Sequence, residues 1–521
     1  MSFTSYTFLG FAALVMLLYY LIPGKFQWLL LLAASYAFYL WNGFEYLAFL
    51  LLTTVTTYIA TAIMGKRLNA QDAYLKEHKT ELSKEDRKAY KARVKAGNRL
   101  WLIGCLVVNF GVLAFCKGCL IDPLHTALKE GRLSFLTVGL PMGISFYMFQ
   151  SMGYVLDVYR GTAKAERNPL KLALFVSYFP QLVQGPISRF QKLAPALTAP
   201  HSFDGRQVSF GLQRVLWGYF KKLVIADRIA AAVIALRGPE YTGAAFLVLT
   251  LFYAIQIYGD FTGGIDITIG LSQALGIPLQ ENFRRPFFSK NIAEYWRRWH
   301  ITLGEWMKDY IFYPISVSGP MRKLSTAARQ KFPRFGKRLP VYVATVATWL
   351  ATGVWHGFAP NFIVWGMINC GIIIVSEELA PLYAKFHARF GWKETGWYGC
   401  FEMVRMFVLM NLIRACDLFP NVGDYFRRIN SLFTTFNYHI LWDGTLMKLG
   451  LTGLDYGIIA AGCAICFCVS LSQEKGSVRE RLWNGPVWVR YGLSIGLLLA
   501  VLLMGSYGIG YDASNFIYNQ F

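Results

Sequence analysis

The chain has 521 residues, of which 52 are Lys or Arg and 30 are Asp or Glu, giving a formal net charge of +22. Only 16% of residues are charged and 55% are apolar, whereas soluble chains average about 25% charged, so a soluble globular enzyme is excluded. Lys and Arg sit between apolar runs and are not interleaved with exposed aromatics, which excludes nucleic-acid binding and fits the positive-inside pattern of membrane proteins.

A membrane-crossing helix needs about 20 mostly apolar residues. In chain order, candidate segments lie near 6–22, 27–41, 44–64, 100–117 and 134–156. Further ones follow near 170–187, 208–236, 243–275, 341–355, 361–377, 400–415, 450–471 and 488–507. The first lacks the basic region and small-residue cleavage site of a secretory signal, so it is expected to stay as a membrane helix. Lys66 to Arg99 carries eleven Lys/Arg against five acids, and Met321 to Arg338 seven Lys/Arg and no acid. Both are expected in the cytoplasm, the first as a solvated helix or hairpin near anionic lipids, with docking of an acidic carrier protein as the alternative. Counting outward from them puts the N-terminus outside and Lys25, Arg160, Lys164, Arg167 and Lys171 inside.

From about 175 to 365 the apolar runs are interrupted by Pro, Gly, Asp, Asn and paired Arg. Polar backbone at membrane depth is tolerated only where protein or water covers it. Asp260 and Asp266 fall in such a stretch, where a carboxylate facing lipid costs about 2.5–3.5 kcal/mol; both are expected to face inward. Bracing of the packing is favoured over tunnel lining for these acids and for Gln181, Gln184 and Arg189. No fixed-period repeat or linker divides the chain.

The nine cysteines include Cys105, Cys463, Cys466 and Cys468 inside apolar runs, where they read as small packing residues and not as a disulfide framework or a metal site. For Cys116 to Cys119, at an expected membrane edge, a redox or metal role is the minor alternative. Of the seven histidines, His78, His125, His201, His387 and His439 fall in loops or polar flanks. His300 borders a face of Trp296, Trp299, Leu303, Met307 and Tyr310, spaced as one amphipathic helix; a packing role and a chemical one both fit. His356, between Trp355 and Gly357 in an apolar run, suits a general base, since imidazole accepts a proton near neutral pH; a satisfied structural role is the alternative. No nucleophile elbow, phosphate-binding Gly-rich loop or H-E-x-x-H helix is present.

Six stretches carry a further reading: Pro141 to Gly161, Phe179 to Phe190, Gly218 to Arg228, Tyr258 to Gly270, Glu281 to Ile315, and Gly353 to Gly366, the last containing GVWHG and NFIVWG. In order and content they resemble the membrane-bound O-acyltransferase family, above all its bacterial polysaccharide-acetylating and D-alanyl-transferring members. The resemblance spans about Met1 to Glu378. It implies an all-α polytopic protein of about 11–13 membrane segments, a ring of tilted helices around a tunnel. The core is expected over 1–397, with C-terminal membrane helices of the same domain over 398–521.

The resemblance further implies that His356 acts as base and His300 in support. Trp299, Trp296, Asp260, Gln184, Asn282 and Trp355 become tunnel or substrate candidates. No permanently bound cofactor or metal is expected: acyl-CoA or a phosphopantetheine-carried thioester serves as co-substrate. The expected location is the bacterial cytoplasmic (inner) membrane, and the expected partners are the lipid membrane, the thioester donor, an extracytoplasmic polysaccharide or acyl-accepting protein, and an acyl carrier protein. Acetyl is favoured over D-alanyl because the chain continues past Arg414 to Phe433 into more hydrophobic segments. At Asn411 to Ala415 the sequence lacks the aromatics that acetylating relatives carry before Arg-Ala. A transporter or flippase is the alternative of another class, though the inverted repeats it calls for are not visible; a scaffold anchoring a wall-modifying complex is a third.

Overall fold

The computed structural model describes residues 1–118, 141–508 and 511; Cys119, His125 and the start of the segment expected from 134 lie outside them. Among the described residues there are helices and turns but no strand, apart from an isolated antiparallel bridge between Phe283 and Trp299. Six described helices are long and apolar enough to cross a membrane: Phe44–Glu77, Lys84–Gly118, Ala244–Ala274, Pro360–Phe390, Gly453–Lys475 and Val487–Met504; Tyr6–Leu21 is a shorter apolar helix. Most remaining expected segments are shorter, broken or more charged. The chain forms two compact units, Met1–Gly211 with Leu271–Gln280, and Leu212–Gly270 with Glu281–Phe521.

In the first unit, α1 (Tyr6–Leu21) and α2 (Gln27–Leu40) precede the long α3 (Phe44–Glu77) and α4 (Lys84–Gly118). The charged stretch from Lys66 to Arg99 is the joined ends of α3 and α4, a helical hairpin. At 34 and 35 residues each helix is about 50 Å long, so its charged part extends past a hydrocarbon core of about 30 Å. Next come α5 (Ile144–Arg160), α6 (Pro169–Ser177), α7 (Phe179–Leu182) and α8 (Phe190–Thr198). The single segment expected over 170–187 is thus two short helices. Pro180 has no N–H to continue the ladder of α6. Buried polar groups close on one another: Gln181 Nε2 donates to Gln150 Oε1 at 2.5 Å and to Ser188 Oγ at 3.1 Å. The Tyr19 hydroxyl and His201 Nδ1 share a 2.9 Å hydrogen bond.

The second unit is organised by buried charge. α9 (Gly205–Tyr219) enters it and continues through a π-helical turn, Phe220–Ala226, into α10 (Asp227–Ala235), against α11 (Ala244–Ala274). Gly218, Gly259 and Gly263 permit the contact. A Cβ on Gly218 would lie 2.6 Å from the Gly263 carbonyl oxygen, and one on Gly259 2.8 Å from that of Lys221; small residues let backbones approach this closely. Lys221 Nζ therefore reaches Asp266 at 2.6 Å, and Lys222 Nζ reaches Asp227 at 2.8 Å and Asp260. Arg214 Nε donates to Asp266 at 2.8 Å, while its terminal nitrogens grip both Glu281 oxygens at 2.6 Å.

Breaking a buried ion cluster by removing one partner costs about 3–5 kcal/mol. Lys222→Met, which strands the Asp227 and Asp260 carboxylates, is expected to lower thermal stability in detergent by about that amount, and Asp260→Asn in the same chain to recover part of it. A midpoint for Lys222→Met equal to wild type would show that the cluster is not holding these helices.

Candidate functional site

The stretch expected as one amphipathic helix from 291 to 310 is interrupted at its centre. Asn291 caps α12 (Ile292–Arg298) by accepting from the Glu294 N–H at 2.9 Å. Trp299 is extended, and His300 has a left-handed backbone with φ 47° before α13 (Ile301–Met307) begins. Two backbone bonds impose the break: Arg284 N–H donates to the Arg298 carbonyl at 2.9 Å, and Ile301 N–H to the Asn282 carbonyl at 3.0 Å. A positive φ on a non-glycine costs about 1–3 kcal/mol and persists only where its surroundings over-determine it.

Those surroundings converge on Asn282, which is fully buried. Its Oδ1 accepts from Thr302 N–H at 3.0 Å and Thr302 Oγ1 at 2.9 Å, and His300 Nδ1 lies 3.3 Å away. A backbone N–H can only donate, so this Asn282 atom is the oxygen and His300 Nδ1 is the donor. In the neutral ring the lone pair then sits on Nε2. Burial, reinforced by the positive charge of Arg414, lowers the His300 pKa to about 3. His300 is therefore a neutral imidazole of fixed tautomer at physiological pH.

His356 is the last residue of the helix Pro333–His356 (α14 here), followed by α15 (Pro360–Phe390). The two helices meet tightly at glycine: a Cβ on Gly353 would lie 2.7 Å from the Phe362 carbonyl oxygen, and one on Gly366 2.7 Å from that of Trp349. The half-buried His356 ring lies against Trp355 at 4.7 Å and edge-on to Trp365 at 5.0 Å between centroids. The His300 ring also meets Trp355, at 5.8 Å.

His300 and His356 line one cavity of about 610 Å³, within the range of small-molecule sites. Its aromatic wall includes Phe261, Trp296, Trp299, Trp349 and Trp365. Trp296 is anchored by Nε1 donating to Asn369 Oδ1 at 3.2 Å. Arg284, Arg297 and Lys308 also line it and are exposed. Arg414 and Asp417, from the end of α16 (Gly396–Arg414) and the turn Ala415–Leu418, complete it. Burial pushes the Asp417 carboxyl up to about 7, against the opposing pull of Arg414.

Of the residues singled out from sequence, His300, His356, Trp296 and Trp299 come together in this cavity. Asn282 and Trp355 do not line it but hold the rings that do. Asp260 is committed to Lys222, a bracing position and not a lining one. Gln184, fully buried in the first unit, is likewise not among the lining residues. The sequence reading left Arg414 without a role and missed Asp417, Trp349 and Trp365. The available signal was two charges three residues apart at the end of an apolar helix. Among the described residues no group of three or more His, Cys, Asp or Glu is arranged to hold a metal ion.

Residues 165–416 match the pattern of the membrane-bound O-acyltransferase family. The chain is 35% identical to the probable alginate O-acetylase of Pseudomonas syringae pv. tomato, over 93% of this chain and 86% of that protein. It is 28% identical to the peptidoglycan O-acetyltransferase of Helicobacter pylori, over 94% and 92% of the two chains. Similarity to the teichoic acid D-alanyltransferase of Bacillus subtilis, 27% identical, covers 48% of this chain and 61% of that one.

The electrostatics of His300 fix a pH dependence. Unfolded, its imidazole titrates near 6.5; folded, near 3. Between these values the His300 ring holds a proton in the unfolded chain and not in the folded one, so its contribution to stability falls as pH drops from about 6.5 towards about 3. The thermal midpoint of the wild type in detergent, taken relative to that of His300→Gln, should fall across that window, while the raised Asp417 carboxyl pulls both proteins equally the other way. Parallel curves for the two proteins would remove His300 as the source.

Proposed function

The chain belongs to the membrane-bound O-acyltransferase family, and from this membership we propose that it transfers an acetyl group from a cytoplasmic thioester to a hydroxyl of an extracytoplasmic polysaccharide. It is a multi-pass membrane acyltransferase. In the proposal it resides in the bacterial inner membrane and acts on a cell-wall or exported glycan, directly or through an acyl-accepting partner protein. Acyl-CoA or a carrier-borne phosphopantetheine thioester is the co-substrate, so no resident cofactor is needed.

One observation carries the chemistry: two histidines of different character line a single aromatic-walled cavity. His356 is the half-buried one, at a helix C-terminus whose carbonyl ends favour a cation. It takes the proton of the acceptor hydroxyl as the oxygen attacks the thioester carbonyl, and returns a proton to the departing thiolate. His300, neutral and locked through Asn282, is too weak a base for that step. Its Nε2 lone pair orients a donor hydrogen, and the Trp296, Trp349 and Trp365 cluster limits water around the thioester.

Acetyl is supported by extent of similarity. The relatives named for O-acetyl transfer match 93% and 94% of the chain, and the D-alanyl relative 48%. D-alanyl transfer from a carrier-protein thioester is the second reading.

In inverted membrane vesicles given radiolabelled acetyl-CoA and acceptor, His356→Ala is expected to reduce label transfer by about 10²- to 10⁴-fold, the usual loss for a general base, with membrane insertion unchanged. Full activity in that variant would overturn the assignment. Transfer from a D-alanyl carrier thioester alone, with acetyl-CoA inert, would replace acetyl by the second reading.

A further inference from the structure

Among the described residues of the second unit, the buried cations sit against carboxylates or several carbonyl groups, with one exception. Arg214, Lys221 and Lys222 sit against carboxylates at 2.6–2.8 Å. Arg428 donates to the carbonyls of Arg237, Gly238 and Tyr241. Arg414 is only 6% exposed, yet among the described residues no carboxylate lies within salt-bridge distance of it. Its guanidinium lies 4.2 Å from the Trp299 ring centroid, and one nitrogen donates to the Tyr295 hydroxyl at 3.2 Å. Guanidinium has five N–H donors; the others have no acceptor among the described residues, and the residue faces the cavity that holds both histidines. A buried cation whose nearest acid, Asp417, lies beyond salt-bridge distance is costly to hold without a hydrogen-bonded anion.

We infer that Arg414 holds the oxyanion that forms on the thioester carbonyl during transfer. The inference rests on the acyl-transfer reading above but not on which acyl group is moved. As the acceptor oxygen bonds to the carbonyl carbon, its proton passes to His356 and the C=O π pair moves onto oxygen. That oxyanion meets the free N–H groups of Arg414. When the carbonyl re-forms, the C–S bond breaks and the thiolate takes the proton back from His356, so the ester and the thiol leave with atoms and charge balanced.

The frame around Arg414 suits this role. Stacking on Trp299, itself parallel to Tyr295 at an 11° interplanar angle, fixes the guanidinium plane. Asn361 Nδ2 donates to the carbonyls of Cys416 and Asp417 at 3.4 and 3.3 Å, and Cys416 Sγ donates to the Asn361 carbonyl at 3.4 Å. The turn after Arg414 is thereby tied to the first turn of α15, five residues beyond His356. Base and cation share one rigid frame, and donors fixed before charge develops need no reorganisation when it does. Asp417, on the same cavity but beyond salt-bridge distance, offsets the charge without filling the site.

The test compares full-length wild type with Arg414→Met in vesicles, supplied separately with acetyl and D-alanyl thioesters; the comparison uses whichever thioester the wild type turns over. The expected loss is about 10²- to 10³-fold in kcat, with KM for donor and acceptor within about threefold and a thermal midpoint that reports folded protein. Guanidinium added to Arg414→Ala should restore part of kcat. A kcat close to wild type in folded Arg414→Met overturns the inference, as does a loss confined to the acceptor KM, which would mean a permanent acceptor anion is bound there. If the Met variant does not fold, Arg414→Lys and Arg414→Gln take its place: Lys exceeding Gln by about tenfold or more in kcat supports the oxyanion role, and equal values overturn it. Wild type inert with acetyl but active with D-alanyl thioester would sink the acetyl reading alone; inert with both, it would sink acyl transfer and this inference together.

Discussion

The Arg214 guanidinium, held between Asp266 and Glu281, is the interaction from which the cavity's geometry descends. Asp266 belongs to the membrane helix α11, and Glu281 immediately precedes Asn282. Tying Glu281 down fixes the extended segment 281–284, whose carbonyl and N–H groups intercept the backbone at Arg298 and Ile301. That interception breaks the helix at Trp299 and turns His300 into the cavity with its tautomer set by the Asn282 side chain. The same helix α11 accepts Lys221 and Lys222 because glycines on both facing surfaces remove the side chains that would hold the backbones apart. Charge at membrane depth is tolerable here because nearly all of it is matched.

Against this matched background the two histidines differ by environment. His300 is enclosed by Phe261, Trp355 and Asn282 and stays neutral. His356, at the C-terminal end of a helix and half-buried, is the one to which the proposal gives the proton transfer. Two imidazoles in one cavity thus need not do the same work, and the division follows from burial and from which backbone end each meets. The cavity wall between them is tryptophan-rich: large rigid rings exclude water at little conformational cost, and Asn369 anchors one through its indole N–H.

The family and the membrane class were legible in the chain because they rest on local properties: hydropathy over about 20 residues, charge between apolar runs, and short ordered motifs around His300 and His356. The charged hairpin of α3 and α4 was legible for the same reason. The helix over 291–310 was misread because its apolar spacing is genuinely helical; what breaks it is a backbone partner at 282–284, which no local period encodes. The segment over 170–187 was read as one span because hydropathy does not register the N–H missing at Pro180.

The sequence by itself determined a helical membrane protein with two histidines in polar breaks, since composition and periodicity act on neighbours along the chain, and the resemblance of its ordered motifs to a known family added the acyltransferase reading. Only the tertiary structure decided which polar residues brace and which face the cavity. Asp260 is paired with Lys222 across 38 residues, and Arg414 reaches Tyr295 across 119. Whether a buried charge is satisfied or left open to a ligand depends on contacts over such separations, and local pattern carries no information about them.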